Sequence, residues 1–203
     1  WSNYKLSVEN WKLRRWMFWK IIKIGSRSSK IHWFEGEDIA KNISSRGVKI
    51  TIKTDKTPVT DGDLAVDKLL RNKISDLTPN IPIISEETVD LKIKNTNKNF
   101  WLIDPIDGTR EYIKKNDEYT LNAALINGLK PVLGIVYAPK KDRLFFSYGK
   151  NLAFEICRGK RTSLTGKKIK NNTIIGLLNS DEVSNEVLDI YKKYNVSEKI
   201  KMS

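Results

Sequence analysis

The chain has 203 residues, of which 39% are apolar and 30% are charged, so it can bury the core of one domain or slightly more. It contains one cysteine, Cys157, and one histidine, His32, which excludes an intramolecular disulfide framework, a site built on two imidazoles and a zinc site of cysteine and histidine ligands. If this chain catalyses a reaction, we therefore expect it to use carboxylates, hydroxyls and a metal ion that prefers oxygen ligands.

The charge balance is strongly basic, because 37 Lys and Arg residues against 24 Asp and Glu residues give a formal net charge of +13. Such an excess fits a nucleic-acid, membrane-surface or anionic-substrate partner. It fits equally a coding sequence rich in A and T, since isoleucine, lysine and asparagine are all abundant. Basicity therefore does not choose a partner class, and the single cysteine favours a reducing, cytoplasmic location.

Residues 1–46 differ from the rest of the chain and are predicted to form an atypical, basic, tryptophan-rich segment, with residues 47–203 as the main domain. Residues 11–24 are predicted to form a short basic helix, which charged side chains interrupt too often for it to span a bilayer. This helix either lies on an anionic membrane, such as the cytoplasmic face of a bacterial inner membrane, or packs on its own domain.

From residue 48 onward, runs of apolar residues alternate with turn signals and helical patterns. Strands are predicted at residues 48–54, 81–85, 100–103, 119–126, 131–138, 143–147, 152–156 and 173–178, and helices at 60–74, from 109 onward and at 181–194, the last capped by Ser180. This order of elements predicts the α/β class, with helices layered on a sheet.

The segment Asp104-Pro-Ile-Asp-Gly-Thr109 is the densest candidate for chemistry. Asp104 ends a predicted buried strand, Pro105 turns the chain out of it, and Thr109 begins a helix. Asp104, Asp107 and the free carbonyl of Ile106 would then converge as oxygen ligands of Mg²⁺. The start of the helix points amide N–H groups at the same place, which suits a phosphate. The alternative is a plain turn, since Asp, Pro and Gly are common turn residues.

Two further groups of carboxylates lie at the ends of neighbouring elements. Glu86 and Glu87 follow the predicted strand 81–85, where they are either further metal ligands or an ordinary surface pair. Asp63 stands three residues after Thr60, which is the spacing of a capping box. Asp63 is therefore either a helix cap or a base that orients a water molecule near the metal.

Together these motifs resemble the inositol monophosphatase superfamily of Mg²⁺-dependent phosphatases, and within it the 3'(2'),5'-bisphosphate nucleotidases of the bacterial CysQ type. The nucleotidase branch is indicated by Gly108-Thr-Arg-Glu-Tyr-Ile-Lys, because inositol phosphatases carry Thr-Asn-Phe after the Gly-Thr. Residues 56–60 and 130–139 are similar to the same branch. The resemblance covers about residues 48–203 and implies an inositol-monophosphatase-like fold of αβαβα layers.

The resemblance implies a role for each matching residue at the proposed metal site. Glu86, Asp104 and the carbonyl of Ile106 would hold a first Mg²⁺. Asp104 would bridge to a second Mg²⁺ that Asp107 also holds. The implied cofactor is thus two or more Mg²⁺ ions, which would neutralise the phosphoryl oxygens and lower the pKa of a bound water.

The resemblance also implies the catalytic and substrate-binding residues. Asp63 and Thr109 would orient and deprotonate the attacking water, and the amides of Gly108 and Thr109 would bind the phosphate. The substrate-binding set as a whole would be Glu86, Ile106, Asp107, Gly108 and Thr109. Arg110, Lys114 and Lys115 either attract the rest of a polyanionic substrate or form a solvated helix face. The implied reaction converts adenosine 3',5'-bisphosphate to AMP and phosphate, a step of sulfur metabolism.

Two departures from the family lead to further expectations. The family has a metal-binding aspartate in a downstream Trp-Asp-x-Ala motif, but no Trp follows Trp101 before the chain stops at Ser203. Residues 1–46 also do not resemble the family's opening helix. We therefore expect a fragmentary or decayed product that lacks its C-terminal α/β portion and has impaired activity.

Two other functions remain open from the sequence. One is an inositol monophosphatase-type phosphatase, and the other is a non-catalytic basic remnant that binds nucleic acid or an anionic membrane through residues 1–46. For the phosphatase, the partner is a small phosphorylated nucleotide and no specific nucleic acid is expected. The oligomeric state is not predicted.

Overall fold

A computed structural model describes residues 31–88, 98–149, 152–166, 174–179 and 183–202. They fall in two compact units, Trp1–Leu164 and Thr165–Ser203. The basic helix predicted at residues 11–24 lies outside the described residues. Among the helices that the structure describes, none is both long enough and apolar enough to cross a membrane.

The first unit contains a helix, two short strands, a second helix and then seven strands, with a short helix between the second and third of these seven and a 3-10 helix between the fourth and fifth. They are helices α1 (Ile31–Arg46), α2 (Asp61–Leu77) and α3 (Thr109–Ile113), a short 3-10 helix (Pro139–Lys141), and strands β1 (Ile50–Ile52), β2 (Pro58–Thr60), β3 (Ile83–Ser85), β4 (Asn99–Asp107), β5 (Thr120–Asn127), β6 (Lys130–Ala138), β7 (Arg143–Tyr148), β8 (Ala153–Cys157) and β9 (Lys160–Leu164). The second unit contains β10 (Ile174–Asn179), α4 (Asn185–Lys193) and β11 (Val196–Met202).

Strands β3 to β9 form one sheet in chain order. β3 and β4 run parallel, and the other neighbouring strands run antiparallel. Successive residues of a strand point to opposite faces, so Leu121, Ala123 and Leu125 of β5 are all buried on one face, called here the core face. The opposite face, called here the outer face, carries Asp104 of β4 and Asn122 of β5.

Helices α1 and α2 pack on the core face. Val66, Leu70 and Ile74 of α2 are spaced four residues apart, which brings them to one side of the helix, and all three are buried in the core. α1 approaches the sheet at Gly36, where a Cβ atom would lie 2.9 Å from Leu121 Cδ2. Helices layered on a sheet confirm the predicted α/β class. α1 belongs to the segment 1–46, and its Ala40 is part of the same core.

Strand β4 extends farther than predicted at its C-terminal end, where the candidate site residues lie. It does not end at Asp104 but continues through Pro105 to Asp107, and its pairing with β5 is irregular between Asp104 and Asp107. Proline has no N–H to donate, and an irregularity of this kind is where a strand accommodates it. The prediction that Pro105 turns the chain out of the strand is therefore wrong, and the turn comes at Gly108.

The second unit pairs β10 with β11 in parallel. Tyr191 of α4 donates a hydrogen bond to the carbonyl of Leu177, and a Cβ atom at Gly176 would lie 2.6 Å from the Tyr191 ring. Helix α4 therefore packs on β10 where glycine leaves space. Its cap is Ser184, whose Oγ accepts from the N–H of Val187, so the predicted cap at Ser180 is wrong.

Candidate functional site

The turn between β4 and α3 depends on Gly108. Its φ angle is +92°, in the left-handed region, and a Cβ atom there would lie 2.8 Å from the carbonyl oxygen of Glu118. Glycine therefore lets the chain turn sharply, and α3 begins at Thr109 as predicted. Tyr112 of α3 is buried and donates from its hydroxyl to the carbonyl of Ala40 at 2.7 Å, which ties this short helix to α1.

Asp63 is fully buried at the start of α2 and uses both carboxylate oxygens. Its Oδ2 accepts hydrogen bonds from the N–H of Thr60, at 2.8 Å, and from the Thr60 hydroxyl. Thr60 in turn accepts from the N–H of Asp63, so the two residues form the predicted capping box. Burial raises the pKa of the Asp63 carboxyl above its usual value, although the hydrogen bonds from Thr60 and Thr109 act against this.

The Thr109 hydroxyl joins the loop to this capping box. Its Oγ1 lies 3.1 Å from Asp63 Oδ1 and 3.1 Å from the carbonyl oxygen of Ile106. A hydroxyl has one hydrogen, so it donates to only one of these acceptors at a time. The sequence predicts a free carbonyl at Ile106. In the structure this carbonyl oxygen shares the Thr109 hydroxyl with the Asp63 carboxylate, so it is not wholly free.

Glu86 and Asp104 meet because their strands run parallel. Ser85 of β3 pairs with Ile103 of β4, and the N–H of Glu86 donates to the carbonyl of Ile103 at 3.0 Å. Burial, together with the negative charges of Glu86 and Asp107 and a hydrogen bond to Glu86, raises the pKa of Asp104 to about 7. Asp104 Oδ1 is buried and has no hydrogen-bond partner among the described residues.

Asp107 is exposed, as is Glu86, whereas Asp104 between them is half-buried. Its Oδ2 accepts a hydrogen bond of 3.2 Å from Nδ2 of Asn122 on the neighbouring strand β5. Asn122 lies directly opposite Asp104, so one amide stands beside both aspartates. The sequence analysis does not single out Asn122, because only the pairing of β4 with β5 brings it there.

Lys53 brings a positive charge to these carboxylates. Its Nζ lies 2.9 Å from Glu87 Oε2 and 3.5 Å from Glu86 Oε1. Burial alone would lower the pKa of Lys53, but its hydrogen bonds and ion pairs with Glu87 and Glu86 raise it. Burial raises the pKa of Glu87 despite the same ion pair. Lys53 and Glu87 therefore belong to the site, and the loop that carries Lys53 gives no sign of this in its sequence.

The donor set has the chemistry of a site for a hard cation. Carboxylate and carbonyl oxygens are the ligands that Mg²⁺ prefers, and the raised pKa of Asp104 and its unpartnered Oδ1 show a local deficit of positive charge. Within the described ranges, no three side chains of His, Cys, Asp or Glu are arranged to hold a metal ion as they stand. The residues fit a cation by charge and by donor type.

The basic residues of α3 are less available than the sequence suggests. Lys114 Nζ lies 3.1 Å from Glu111 Oε1, and hydrogen bonds from Asn116 and Lys114 lower the pKa of Glu111. Arg110 and Lys115 are exposed. Of the three basic residues predicted to attract a polyanion, Lys114 is thus engaged by Glu111 of α3.

The predicted site residues fall into two adjoining groups. Asp63, Thr109 and the carbonyl of Ile106 are joined by hydrogen bonds. Glu86 and Asp107 form the second group with Asp104, on which their negative charges act. Gly108 forms the turn between the groups.

Comparisons with known proteins identify the family of the chain. Residues 29–200 match the inositol monophosphatase family. The chain is 40% identical over 109 residues, 53% of its length, to a 3'(2'),5'-bisphosphate nucleotidase CysQ of Buchnera aphidicola. Those residues are 41% of that relative, so the chain spans about two fifths of the length of the curated relatives that it matches.

Solved structures show the same fold at lower identity. CysQ from Bacteroides thetaiotaomicron aligns with a TM-score of 0.61 at 22% identity, over 82% of this chain and 68% of that one. An IMPase/NADP phosphatase complexed with Mg²⁺ and phosphate aligns with a TM-score of 0.65 at 21% identity, over 83% of this chain and 63% of that one. These likenesses show that the predicted inositol-monophosphatase-like fold is correct.

Proposed function

The chain belongs to the inositol monophosphatase family, and on that premise we propose that it is a Mg²⁺-dependent phosphatase that removes the 3'-phosphate of adenosine 3',5'-bisphosphate to give AMP and phosphate. The observation that carries this proposal is the meeting of two groups at the end of β4: the pair Asp63–Thr109 and the carboxylates around Asp104. The first group can accept and donate a proton, and the second can bind a cation. Phosphate-ester hydrolysis uses both proton transfer and a bound cation.

Four oxygen donors are proposed to hold the metal: the side chains of Glu86, Asp104 and Asp107 and the carbonyl of Ile106. Two or more Mg²⁺ ions bound there would supply positive charge against the phosphoryl oxygens and make an attacking water more acidic. The unpartnered Oδ1 and raised pKa of Asp104 support its position at the centre of this set. The Mg²⁺ named with the related IMPase/NADP phosphatase supports the choice of ion.

Asp63 and Thr109 are proposed to prepare the attacking water. When the Thr109 hydroxyl donates its hydrogen to Asp63 Oδ1, its lone pairs can accept a hydrogen bond from water. The raised pKa of Asp63 brings this carboxylate nearer to the proton affinity that a general base needs at neutral pH. Its Oδ2 stays bound to Thr60, so the carboxylate keeps its orientation while a proton moves.

The substrate is proposed to lie over the start of α3. The amides of Gly108 and Thr109 would bind the phosphate, with Glu86, Ile106 and Asp107 beside it. Arg110 and Lys115 are exposed next to this loop and would attract the second phosphate of a bisphosphate. The CysQ relatives, which match half of the chain at about 40% identity, support a nucleotide as substrate.

Inositol monophosphate is the second candidate substrate. Solved relatives of similar fold include inositol monophosphatases from Thermotoga maritima and Staphylococcus, at 19% and 20% identity. At that identity they support the fold and leave the substrate open. Contact of residues 11–24 with nucleic acid or an anionic membrane lies outside the described residues and stays a prediction.

The test is release of phosphate from adenosine 3',5'-bisphosphate and from inositol 1-phosphate, each with Mg²⁺ and with EDTA. We expect release from the bisphosphate that needs Mg²⁺ and falls by about 100-fold or more in Asp104→Asn, since a lost metal ligand removes several kcal/mol of transition-state stabilisation. Asp76→Asn is the matched control, because Asp76 is exposed on α2.

The outcomes separate the proposals. Faster release from inositol 1-phosphate would select the second candidate. Equal rates in Asp104→Asn and the unchanged chain would contradict the metal site. A folded chain that binds Mg²⁺ but releases phosphate from neither compound would contradict a phosphatase role for this chain.

A further inference from the structure

Asn122 is a polar residue with apolar neighbours on the outer face of the sheet. It points to the outer face of β5, where Val136 lies opposite it on β6 and Ala124 lies two residues along the same strand. Both of these neighbours are apolar, so Asn122 does not continue a polar band across the sheet. The polar groups that it does meet are Asp104, directly opposite on β4, and Asp107.

The amide nitrogen of Asn122 holds Asp107. Nδ2 donates to Asp107 Oδ2 at 3.2 Å, across the point where the pairing of β4 with β5 is irregular. Asp107 is exposed, and an exposed carboxylate samples several rotamers unless a neighbour restricts it. This hydrogen bond favours the rotamers that keep Asp107 near Asp104.

The amide oxygen of Asn122 is buried and has no donor among the described residues. Oδ1 of Asp104, the residue directly opposite, is also buried and has no hydrogen-bond donor among the described residues. Two unpartnered acceptors on facing residues are costly unless something between them offers positive charge or hydrogen. A hydrated cation offers both.

We propose that Asn122 is a positioning residue of the cation site. Its amide N–H holds Asp107 beside Asp104, and its amide oxygen accepts a hydrogen bond from a water molecule of the bound cation. This inference rests on the proposed function, because it needs the cation site formed by Glu86, Asp104 and Asp107.

The test measures metal binding by the full chain. Mn²⁺ affinity is measured from the EPR signal of free Mn²⁺, and the number of waters on bound Tb³⁺ from luminescence lifetimes in H₂O and D₂O. In Asn122→Ala, and in Asn122→Leu, which keeps the side-chain volume on an apolar face, we expect the Kd for Mn²⁺ to rise about 10-fold or more. Bound Tb³⁺ should gain about one water where Asp107 no longer binds.

Asn99→Ala is the matched control, because Asn99 is exposed at the other end of β4. We expect it to leave both readouts unchanged. A folded Asn122→Leu chain with the Kd and the number of bound waters of the unchanged chain would overturn the inference, even if its Tm were lower.

Asp104→Asn separates this inference from the function on which it rests. If Asp104→Asn abolishes Mn²⁺ binding and Asn122→Leu does not weaken it, only the role of Asn122 is wrong. If Asp104→Asn also binds Mn²⁺ normally, the cation site itself is wrong.

Discussion

Asp63 and Thr109 lie 46 residues apart in the chain and meet in a hydrogen bond of 3.1 Å between Thr109 Oγ1 and Asp63 Oδ1. The other carboxylate oxygen, Oδ2, accepts from the backbone and side chain of Thr60 in the capping box. One buried carboxylate thus starts helix α2 and receives the hydroxyl of the candidate site. We therefore expect replacement of Asp63 to affect both the stability and the proposed activity of the chain.

Replacing Asp63 should damage both properties together. In Asp63→Asn, the amide nitrogen either faces the N–H of Thr60, so that the cap is lost, or faces Thr109, whose hydroxyl then accepts from the amide instead of donating to a carboxylate. We expect phosphate release to fall by about 100-fold or more, as for a lost general base, and the free energy of unfolding to fall by about 1 kcal/mol, as for a lost cap. Initial rates and thermal unfolding measure the two effects.

Thr60→Ser is the control for Asp63→Asn, because serine keeps both the donor and the acceptor of the capping box. Its rate should match that of the unchanged chain, and its Tm should fall only by the cost of one buried methyl group. An Asp63→Asn chain that keeps its full rate of phosphate release would show that Asp63 is a helix cap and nothing more.

The raised pKa of Asp104 predicts how stability depends on pH in the absence of metal. Its pKa is about 7 in the folded chain against 3.8 as an isolated group, so between these values the folded state binds more protons than the unfolded state. The free energy of unfolding therefore falls as pH rises through this window, and the contribution of Asp104 is fully present only below about pH 4. Thermal unfolding in EDTA at several pH values measures this.

Two variations check the assignment of this pH dependence to Asp104. In Asp104→Asn the fall in Tm between acidic and neutral pH should be smaller, because the amide does not titrate. In the unchanged chain, Mg²⁺ should raise the Tm most at neutral pH, where the carboxylate is charged. A Tm in EDTA that rises steadily between pH 4 and about pH 7 would contradict the pKa shift.

The sequence alone predicts the α/β class and the residues around Asp104, because buried strands, a Gly-Thr turn and a capping box are local patterns. It does not predict β9, whose five residues are all exposed and lack the alternation of a strand. It also places the turn at Pro105, since it cannot see that an irregular pairing with β5 accommodates a proline within β4.

The site can be predicted only in part from the sequence, for a similar reason. Glu86, Asp104 and Asp107 end or follow predicted strands, and their convergence follows from strand order. Lys53 and Asn122 reach the site from other parts of the chain, through an ion pair and a strand pairing. Such contacts depend on tertiary packing, which no local spacing of residues encodes.

Replacing Gly62 by alanine should create a packing defect that extends to the candidate site. A Cβ atom there would lie 2.6 Å from the hydroxyl oxygen of Tyr112, which is buried and anchors α3. Gly62→Ala should therefore displace the Tyr112 ring and lower the free energy of unfolding by about 1–3 kcal/mol, the usual cost of overpacking. Because Thr109 begins the same helix, the rate of phosphate release should also fall.

Gly166→Ala is the matched control for Gly62→Ala, since no atom lies within 4 Å of the Cβ position there. It should leave Tm and rate unchanged. If Gly62→Ala is as stable as the unchanged chain, the close contact between α2 and Tyr112 is wrong.

Lys53 should matter most when no metal is bound. Its Nζ pairs with Glu87, whose side chain is only 4% exposed, and with the more exposed Glu86. Lys53→Met leaves Glu87 without this partner, and we expect the free energy of unfolding in EDTA to fall by about 1–2 kcal/mol, less than for a fully buried pair because Lys53 is partly exposed. Mg²⁺ bound beside Glu86 supplies positive charge to the same carboxylates.

The loss of stability in Lys53→Met should therefore shrink when Mg²⁺ replaces EDTA, as measured by thermal unfolding under both conditions. Lys56→Met, at an exposed position of the same loop, should show no such difference. An equal loss with Mg²⁺ and with EDTA would mean that the ammonium group of Lys53 and the cation do not act on the same carboxylates. The metal site would then have to lie farther from Glu86 than the contacts of Lys53 indicate.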